Sequence, residues 1–423
     1  MTETIISFYE KKNINLIEIE IIYRTAKQFW SINRLSVKRR ISKQNFEALL
    51  ATKKLITYQN SLLFKKATSF KIFNEKIEIT LGKNLILIPI LKKSTISYTF
   101  IDVFSGAGGF SQGLIDSGLT PLLCIDKDKD ACKTLKKNHP GLSIVCDEIE
   151  NFDFTKFKHK VDVVVGGSPC QSFSTIGLKK GLGDPNGQAL LEFIKMIFIV
   201  QPKIFIIENV RGLLNHGKGK TFQYILKLLS KNKTYKIEYE LINMAEYGVP
   251  QKRFRLFIIG TLTSLKLKNF FPLLKKYKTQ VLKDVLTNVP FSEGAKYSEK
   301  KKLFKMIPPG KCWTSLPKNI QQDYLGKSWN SKGGKRGILR KLSMTDPALT
   351  LLCSPSQKQT ERCHPLENRP LTIREYARIQ TFKDSYSFFE SINSQYRQIK
   401  NAVPILFSIQ VEDKLLEVLK SQN

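Results

Sequence analysis

One cysteine in this sequence stands where a thiol is able to react. It is Cys170, in the stretch DVVVGGSPCQSFSTIG that covers residues 162–177. The valines before it are typical of a buried strand, and Gly166 and Gly167 are predicted to end that strand. A free cysteine is more often buried and inert than reactive, but a turn between a strand and a loop exposes the side chain. We therefore predict that Cys170 is exposed in a loop, where its thiolate is available as a nucleophile or ligand.

Two other apolar stretches carry polar side chains at strand ends. In IIENV an apolar strand runs into Glu208, and a buried carboxylate is costly unless it has a partner or a function. In QKRFRLFIIG the residues Gln251, Arg253 and Arg255 are spaced two apart, so a strand presents all three on one face. One arginine alone would be unremarkable on a surface, but three aligned polar side chains predict a functional face.

A glycine-rich turn in FIDVFSGAGG, residues 100–109, follows a predicted strand and opens a predicted helix. Gly106, Gly108 and Gly109 would allow a ligand to lie against bare backbone at the helix N-terminus. A dinucleotide fingerprint needs a third glycine where Ser111 stands, which disfavours NAD. A lone glycine loop would be explained by a tight turn.

Two aspartates at neighbouring strand ends indicate which kind of ligand the glycine-rich turn binds. Asp126 ends the next predicted strand, where a carboxylate is placed to accept hydrogen bonds from ribose hydroxyls. Asp147 ends the strand after that and is placed to meet an adenine amino group. Together with the glycine loop, these carboxylates predict an adenosine-type cofactor.

The elements that position these residues repeat along the chain from Tyr98 onward. Strand, glycine turn and helix alternate, a pattern that predicts an α/β fold with a parallel sheet and helices on both faces. Ligands of such sheets bind beyond the carboxyl ends of the strands. Because the glycine turn, Asp126, Asp147, Cys170 and Glu208 all fall at such ends, we expect them to share one edge of the sheet.

The flanking regions follow a different pattern. Residues 1–98 carry a net charge of about +11 and combine an apparent amphipathic helix, EALLATKKLITYQNSLLFKKA, with the strand-like KIEITLGKNLILIPIL. The basic cluster Lys38-Arg39-Arg40 in LSVKRRISKQNFEALL predicts either a small DNA-binding helical unit or a solvated helical face.

Residues 261–340 are irregular, with 18 Lys and Arg against 4 Asp and Glu, which predicts a loop-rich basic module able to bind phosphates. The chain then returns to helical patterns in LTIREYARIQTF and FSIQVEDKLLEVLK.

The overall charge favours a polyanionic partner. The 423 residues carry 69 Lys and Arg against 36 Asp and Glu, a net charge of +33, for which nucleic acid is the leading candidate. The seven cysteines show no zinc spacing, and their odd number without a secretory signal predicts free thiols in a reducing cytoplasm. No apolar run approaches the roughly 20 residues of a membrane span. We expect a soluble, cytoplasmic protein.

Six motifs in this order resemble those of the DNA cytosine-5 methyltransferases, in particular the bacterial type II modification methylases. They are FIDVFSGAGGFSQGL, GGSPCQSFS, ENVRGL, QKRFRLFIIG, RPLTIREYARIQTF and YRQIKNAVP. The resemblance extends from about residue 99 to residue 410, with the basic module in the expected gap. It implies a Rossmann-like S-adenosylmethionine-dependent methyltransferase domain with a smaller, irregular, basic target-recognition domain and an N-terminal extension.

The resemblance also assigns catalytic roles. It implies that Cys170 adds to C6 of a cytosine flipped out of double-stranded DNA and that Glu208 acts at the ring nitrogen. Arg255 would contact O2 of the base, and Arg253 would lie nearer the phosphates. The cofactor implied is S-adenosylmethionine; the residues matched to its site are Phe104, Ser105, Gly106, Gly108, Gly109, Asp126, Asp147, Pro169 and Asn401, and no metal is implied.

The chain departs from the family pattern at three places. CDEIENF carries one residue more than usual around Asp147, Lys400 stands where the family has glycine, and Ile405 replaces a second proline. Lysine restricts the backbone at a position often packed against the cofactor. Every matched catalytic residue is present, so we expect an active enzyme.

The motif positions divide the chain into four parts. We predict an N-terminal accessory extension at 1–98, a catalytic and cofactor domain at 99–262, a target-recognition domain at 263–394, and a C-terminal segment at 395–423 that returns to the catalytic domain. Residues 1–98 are expected to add affinity or regulation without contributing chemistry.

Alternative functions remain open at this point. We expect a monomer that protects host DNA beside a restriction endonuclease or acts alone. A tRNA methyltransferase of the same family would usually depart from ENV, and a non-catalytic DNA-binding regulator would have lost Cys170, Glu208 or the arginines.

Overall fold

The protein consists of two compact units, Met1–Ser97 and Tyr98–Asn423. The structure is a computed structural model that describes residues 2–10, 16–25, 37–42, 69–73, 76–81, 84–89, 91–92, 98–169, 185–231, 233–265, 269–297, 299–330, 337–357 and 361–420. None of the helices in these ranges is long and apolar enough to cross a membrane.

The described residues of the first unit are β-strands. They are β1 Thr2–Glu10, β2 Leu16–Thr25, β3 Val37–Ser42, β4 Ser69–Phe73, β5 Lys76–Leu81, β6 Asn84–Pro89 and β7 Leu91–Lys92. One sheet has the order β3-β2-β1-β7 and the other the order β4-β5-β6. Strands β5 and β6 form an antiparallel pair, which confirms the strand pattern predicted for KIEITLGKNLILIPIL.

The basic cluster of the first unit lies on strand β3, so both helical predictions for it are wrong. Strand β3 pairs antiparallel with β2, which sets Lys38 opposite Glu20 and Arg40 opposite Glu18. The backbone pairing with β2 overrides the helix-forming preference of lysine and arginine. The amphipathic helix predicted over residues 47–67 lies outside the described residues.

The second unit alternates strands and helices as predicted. Its strands are β8 Thr99–Val103, β9 Thr120–Ile125, β10 Ile144–Val145, β11 Val163–Gly167, β12 Ile204–Val210, β13 Tyr235–Asn243, β14 Gln251–Lys252, β15 Phe254–Leu262 and β16 Ala348–Leu349. Its α-helices are α1 Gly109–Ser117, α2 Lys129–Asn138, α3 Pro185–Val200, α4 Gly212–Asn215, α5 Lys220–Leu229, α6 Leu282–Val285, α7 Lys318–Leu325, α8 Ile373–Ile379, α9 Ile392–Asn401 and α10 Ile405–Lys420.

The central sheet has seven strands in the order β10-β9-β8-β11-β12-β15-β13. Strands β10, β9, β8, β11 and β12 are parallel. This confirms the parallel arrangement predicted for these five strands. Strand β15 runs antiparallel to both β12 and β13, so the complete sheet is mixed. The reversal has a consequence for the site: the beginning of β15 lies at the carboxyl end of β12, where Arg255 pairs in register with Val210.

The sheet is buried on both faces, and most positions of its central strands are apolar; Asp102 in β8 and Glu208 in β12 are among the exceptions. Alternate residues of each strand enter different clusters, as the two-residue period of a strand requires. Phe100, Val163 and Ile204 pack into one cluster with the C-terminal helix, whereas Ile101, Val164 and Phe205 pack into the other with α3. A sheet held from both sides is a rigid support for the loops at its edge.

The segment between β15 and α8 is largely irregular, as predicted, but has a small apolar core of its own. Phe304, Ile307, Leu316, Leu325 and Ile338 form this core. The short strands β14 and β16 pair in parallel and join the irregular segment to the strand that carries the arginines. The predicted boundaries 262/263 and 394/395 stay predictions.

Candidate active site

The glycine loop connects β8 to α1 through an unusual backbone. Phe104, Gly106 and Gly108 have φ angles of +59°, +52° and +83°. A positive φ is unfavourable for a residue with a Cβ, so Phe104 stores local strain of the kind that gathers at binding sites. The Phe104 ring makes an edge contact with Phe193, with ring centroids 5.8 Å apart.

Two glycines of the loop are required by close packing. A Cβ on Gly108 would lie 2.6 Å from Leu135 Cδ1 and 3.0 Å from Tyr386 Oη. A Cβ on Gly109 would lie 2.5 Å from the carbonyl oxygen of Val403. The loop is therefore enclosed between α2, the Tyr386 side chain and the C-terminal segment.

The glycine loop has a buried hydroxyl group and lies beside a carboxylate, and both are able to make further hydrogen bonds. Ser105 Oγ is buried and has no hydrogen-bond partner among the residues that the structure describes. Asp126 accepts hydrogen bonds from Gly106 N and Asp128 N, both at 2.7 Å, one on each carboxylate oxygen. Desolvation raises the pKa of Asp126, and these two backbone hydrogen bonds oppose the rise. Each oxygen retains a lone pair, so the carboxylate is able to accept a pair of hydroxyl groups.

Asp147 is held at the end of the neighbouring strand. Its Oδ1 accepts hydrogen bonds from Glu148 N at 2.7 Å and Asn151 Nδ2 at 2.8 Å, which lower the pKa of this exposed carboxyl. Val145 O accepts a hydrogen bond from Asp126 N at 3.2 Å, so the two aspartates follow adjacent strand ends. The glycine loop and both aspartates share one edge, as the sequence predicts.

Glu208 forms a buried ion pair with Arg255. Arg255 Nε lies 2.8 Å from Glu208 Oε1, and the two side chains are about 10% and 9% exposed. Apart from Arg255 Nε, no donor among the described residues reaches this Oε1. Arg255 therefore fixes the position of the Glu208 carboxyl group, which keeps hydrogen-bonding capacity for a further partner.

The loop after β11 begins beside this pair. Gly167 lies opposite Glu208 in the parallel register, and a Cβ on Gly167 would be 3.3 Å from Glu208 Oε2. Buried Ser168 accepts a hydrogen bond from Asn209 Nδ2 at 2.8 Å, which fixes the direction in which the chain leaves the strand. Pro169 is partly buried, and Cys170 lies outside the described residues.

Gln251, Arg253 and Arg255 alternate with exposed neighbours, so the three lie on one face as predicted. Their surroundings nevertheless differ. Arg253 is 1% exposed and donates hydrogen bonds to the carbonyl oxygens of Lys400 and Ala402 at 3.1 and 3.3 Å. The phosphate contact expected for Arg253 stays a prediction, and its buried position favours a different role.

Asn401 is exposed at the end of α9. Its Oδ1 accepts a hydrogen bond from Lys400 Nζ at 3.1 Å. The backbone two residues further on meets Gly109 of the glycine loop. Lysine thus occupies the position of the family glycine without displacing the C-terminal segment from the loop.

Three residues that position parts of the site were not identified from the sequence. Asn209 holds Ser168, Tyr386 Oη donates to Ala107 O of the glycine loop at 2.7 Å, and Gln380 donates to Ala402 O. Asn209 lies within ENVRGL and Gln380 within RPLTIREYARIQTF, and Tyr386 lies four residues after the latter, but their partners are distant in sequence. No group of three or more His, Cys, Asp or Glu side chains suited to a metal occurs in the part of the chain that the structure describes.

The sequence of the second unit matches a known family. The model of the family described as C-5 cytosine-specific DNA methylase matches residues 98–417. The chain is 44% identical over 335 residues to the type II methyltransferase M.Sau96I of Staphylococcus aureus, covering 77% of each chain. It is 42% identical over 341 residues to M.Eco47II of Escherichia coli, covering 78% of this chain and 82% of that relative.

Solved structures show the same fold. A structure described as a prophage-encoded DNA modification methyltransferase of E. coli aligns with a TM-score of 0.58 at 25% identity, covering 77% of this chain and 100% of that one. The S. pombe Dnmt2 methyltransferase aligns with a TM-score of 0.51 at 18% identity, covering 76% of this chain and 99% of that one. The second of these likenesses concerns the fold alone.

Proposed function

This chain belongs to the C-5 cytosine-specific DNA methylase family, and we propose that it methylates one flipped-out cytosine within a specific double-stranded DNA sequence. In this proposal the reaction proceeds through a covalent adduct between Cys170 and the base. The chain is a cytosine-5 DNA methyltransferase that uses S-adenosylmethionine, related to type II modification enzymes. The observation that carries the proposal is the buried Glu208–Arg255 pair at the edge where strand β11 ends, three residues before Cys170 in the sequence.

The residues of the glycine loop fit the cofactor. The orphaned hydroxyl of Ser105 and the two accepting oxygens of Asp126 offer partners for a polar nucleoside. Phe104 offers an aromatic side chain, and Asp147 and Asn401 follow on adjacent segments. When bound, S-adenosylmethionine supplies an electrophilic methyl group; the protein's part is to orient it and to exclude water.

The protein residues activate the cytosine. C5 of cytosine is a poor nucleophile, but addition of the Cys170 thiolate to C6 forms an S–C6 bond and makes C5 electron-rich. Glu208 in its protonated form gives a proton to N3, and Arg255 stabilises the charge that develops at O2. After C5 gains its methyl group, a base removes the C5 proton, the S–C6 bond breaks and the N3 proton returns.

The contacts of the described residues support these roles. Arg255 holds Glu208 at the edge, and Asn209 orients Ser168, two residues before Cys170 in the sequence. None of the reacting atoms is accessible in stacked DNA, so the target base must leave the helix. The net charge of +33 supplies the attraction to the phosphates.

The adduct is tested by trapping it. Duplex DNA with 5-fluorocytosine at the target position retains fluorine at C5, which does not leave as a cation, so the adduct should persist. We expect a complex stable in denaturant that requires S-adenosylmethionine. Cys170→Ala should abolish trapping and methylation while DNA binding remains, and Glu208→Gln should slow methylation by a factor on the order of 10².

An exposed cysteine provides the matched control for the trapping experiment. Cys353 lies outside the matched motifs, and Cys353→Ala should trap DNA as the unmodified protein does. An adduct that survives Cys170→Ala would contradict the mechanism. A protein that binds its site and never forms the adduct would instead be a non-catalytic binder.

We further propose that residues 261–340 choose the target sequence. This segment is basic and irregular and has its own small core, while the loop and strand ends of the site lie outside it. Replacing the segment with that of a relative of different specificity should move the methylated position, read by bisulfite sequencing of DNA from cells that express the hybrid. An active hybrid that still marks the original sequence would assign recognition elsewhere.

The biological setting is also a proposal. The similar relatives are named as type II methyltransferases, which supports a role in protecting DNA beside a restriction endonuclease of the same specificity. We propose that the enzyme acts as a monomer, because one chain contains every residue assigned to the reaction. Resistance of the methylated DNA to such an endonuclease would test the first statement, and sedimentation of the active species the second.

A further inference from the structure

Arg253 lies inside the protein, between strands β14 and β15 and against the C-terminal segment. Its guanidinium is 1% exposed and makes two hydrogen bonds to backbone carbonyls: Nη1 donates to Lys400 O at 3.1 Å and Nη2 donates to Ala402 O at 3.3 Å. The two acceptors flank Asn401. One side chain therefore fixes the backbone on both sides of a residue matched to the cofactor site.

A second side chain holds the same carbonyl. Gln380, which follows α8, donates from Nε2 to Ala402 O. Its Oε1 accepts a hydrogen bond from Gln251 Nε2 at 2.7 Å, and Gln251 Oε1 accepts from Leu351 N at 3.1 Å. Gln251 and Gln380 are both fully buried, so this chain of amides has only these orientations in which its donors and acceptors match.

The held segment presses directly on the glycine loop. A Cβ on Gly109 would lie 2.5 Å from Val403 O, 2.6 Å from Val403 N and 3.0 Å from the Ala402 side chain. There is no free space between the segment and the loop, so a displacement of the segment changes the shape of the loop.

We propose that Arg253 and Gln380 are positioning residues that clamp residues 400–402 against the glycine loop and thereby set the affinity for S-adenosylmethionine. The inference rests on the cofactor site described under the proposed function. It gives Arg253 a role different from a phosphate contact, although it lies two residues from Arg255, which pairs with Glu208. Two arginines that are two residues apart thus serve the two halves of the reaction, the binding of the cofactor and of the base.

Arginine suits this clamp because of its geometry. Its planar group reaches two carbonyls at once, whereas lysine offers a single ammonium point. Arg253→Lys keeps the positive charge but loses one of the two contacts. Gln380→Met removes the second donor to Ala402 O without changing any charge.

The two readings of Arg253 predict different measurements. If Arg253 acts as a clamp, Arg253→Lys and Gln380→Met should each raise the dissociation constant for S-adenosylhomocysteine, measured by calorimetry, on the order of tenfold. Because both act on one segment, the double variant should lose less than the product of the single losses. Affinity for DNA without cofactor, and its dependence on salt, should stay unchanged.

A phosphate contact gives the opposite pattern. Arg253→Met, which removes the charge, would then lower the slope of DNA affinity against salt by about 1, with cofactor affinity retained. That result would overturn the inference. Under the clamp the same variant keeps the slope and weakens cofactor binding. Thermal unfolding of each variant verifies that the folded protein is measured.

A partly buried glutamine controls for the loss of an amide contact elsewhere. Gln321 in α7 donates to Leu316 O at 2.6 Å, far along the chain from the loop. Gln321→Met should leave cofactor affinity unchanged. If the unmodified protein failed to bind S-adenosylhomocysteine, the proposed cofactor site and the clamp would both be wrong; if it bound and both variants bound equally well, the clamp alone would be.

Discussion

Asp102 carries a buried carboxyl group directly beneath the glycine loop. Its Oδ2 accepts hydrogen bonds from Ser111 N at 3.0 Å and from Ser111 Oγ, while Oδ1 is buried without a partner in the described residues. Burial raises the pKa of Asp102 to about 7, and the Ser111 hydrogen bonds only partly offset this. The folded protein therefore holds a proton that the unfolded chain releases near pH 4.

This raised pKa predicts a pH dependence of stability. As pH rises from about 4 to about 7, ionisation favours the unfolded chain, so the contribution of Asp102 to stability falls over that interval. Asp102→Asn keeps an acceptor for Ser111 and removes the ionisation. We expect the variant to be more stable than the unmodified protein at pH 8, by roughly 2 to 4 kcal/mol, and close to it at pH 4.

Urea unfolding between pH 4 and pH 8 measures this difference. Glu412 is also buried, with a pKa raised by burial, and remains as a background of the same sign in both proteins. If the free energy of unfolding depended on pH equally in the variant and in the unmodified protein, Asp102 would be ionised in the folded state.

Single residues were predictable where local spacing decides their place. The glycine loop and the positions of Asp126, Asp147 and Glu208 follow from strand ends, because parallel strands end at one edge. The environment of Arg253 was not predictable, since its partners lie 147 and 149 residues away in the sequence. Spacing shows which face a side chain leaves from, and only packing shows what covers that face.

At the scale of elements, α8 is joined to its surroundings by an arginine. Arg378 is 5% exposed; its guanidinium donates to the carbonyl oxygens of Val285, Thr287 and Asn288 at 2.9 to 3.1 Å. It also pairs with Asp384 at 2.7 Å. Helix α8 is thereby joined to residues 285–288 at the end of α6 and to the segment that follows α8.

Shortening this side chain should loosen the connection. Lysine at position 378 cannot reach three carbonyls, so Arg378→Lys should lower the free energy of unfolding by about 2 to 3 kcal/mol. Arg397 pairs with Asp128 and Asp130 at an exposed position, and Arg397→Lys should change it by about 0.5 kcal/mol or less. Equal effects of both substitutions in urea unfolding would show that the carbonyl contacts of Arg378 add nothing.

The elements themselves were predictable to different degrees. The helices that contain LTIREYARIQTF and FSIQVEDKLLEVLK form as predicted, because each has a strong helical period. The direction of β15 was not predictable, since an apolar strand has the same pattern whether it runs parallel or antiparallel. Strand β3 was misread because three adjacent basic residues have no period, and its acidic partners lie on another strand.

The molecule consists of a first unit whose described residues form strands and a second unit that holds every described site residue. The first unit lies outside the family match, which begins at residue 98. Its net charge of about +11 should add a salt-dependent attraction to DNA that does not depend on sequence.

Removing the first unit should therefore weaken binding without changing the target. A protein that begins near residue 95 should methylate the same sequence as the full chain, with lower DNA affinity at moderate salt. Filter binding over a range of salt concentrations and bisulfite sequencing measure the two properties. A folded truncated protein that marks a different sequence would place part of target recognition in residues 1–98.

The second unit begins and ends at the same place. Tyr98 Oη donates a hydrogen bond to Leu419 O at 2.9 Å, and Ser408 of the last helix donates to Phe110 O of the first. A short linker would thus join residue 420 to residue 98 and close this unit into a ring, which could then be reopened at an exposed loop. The fold therefore does not require the motifs to follow one another in their present order along the gene. Circular permutants of this enzyme should retain the same architecture.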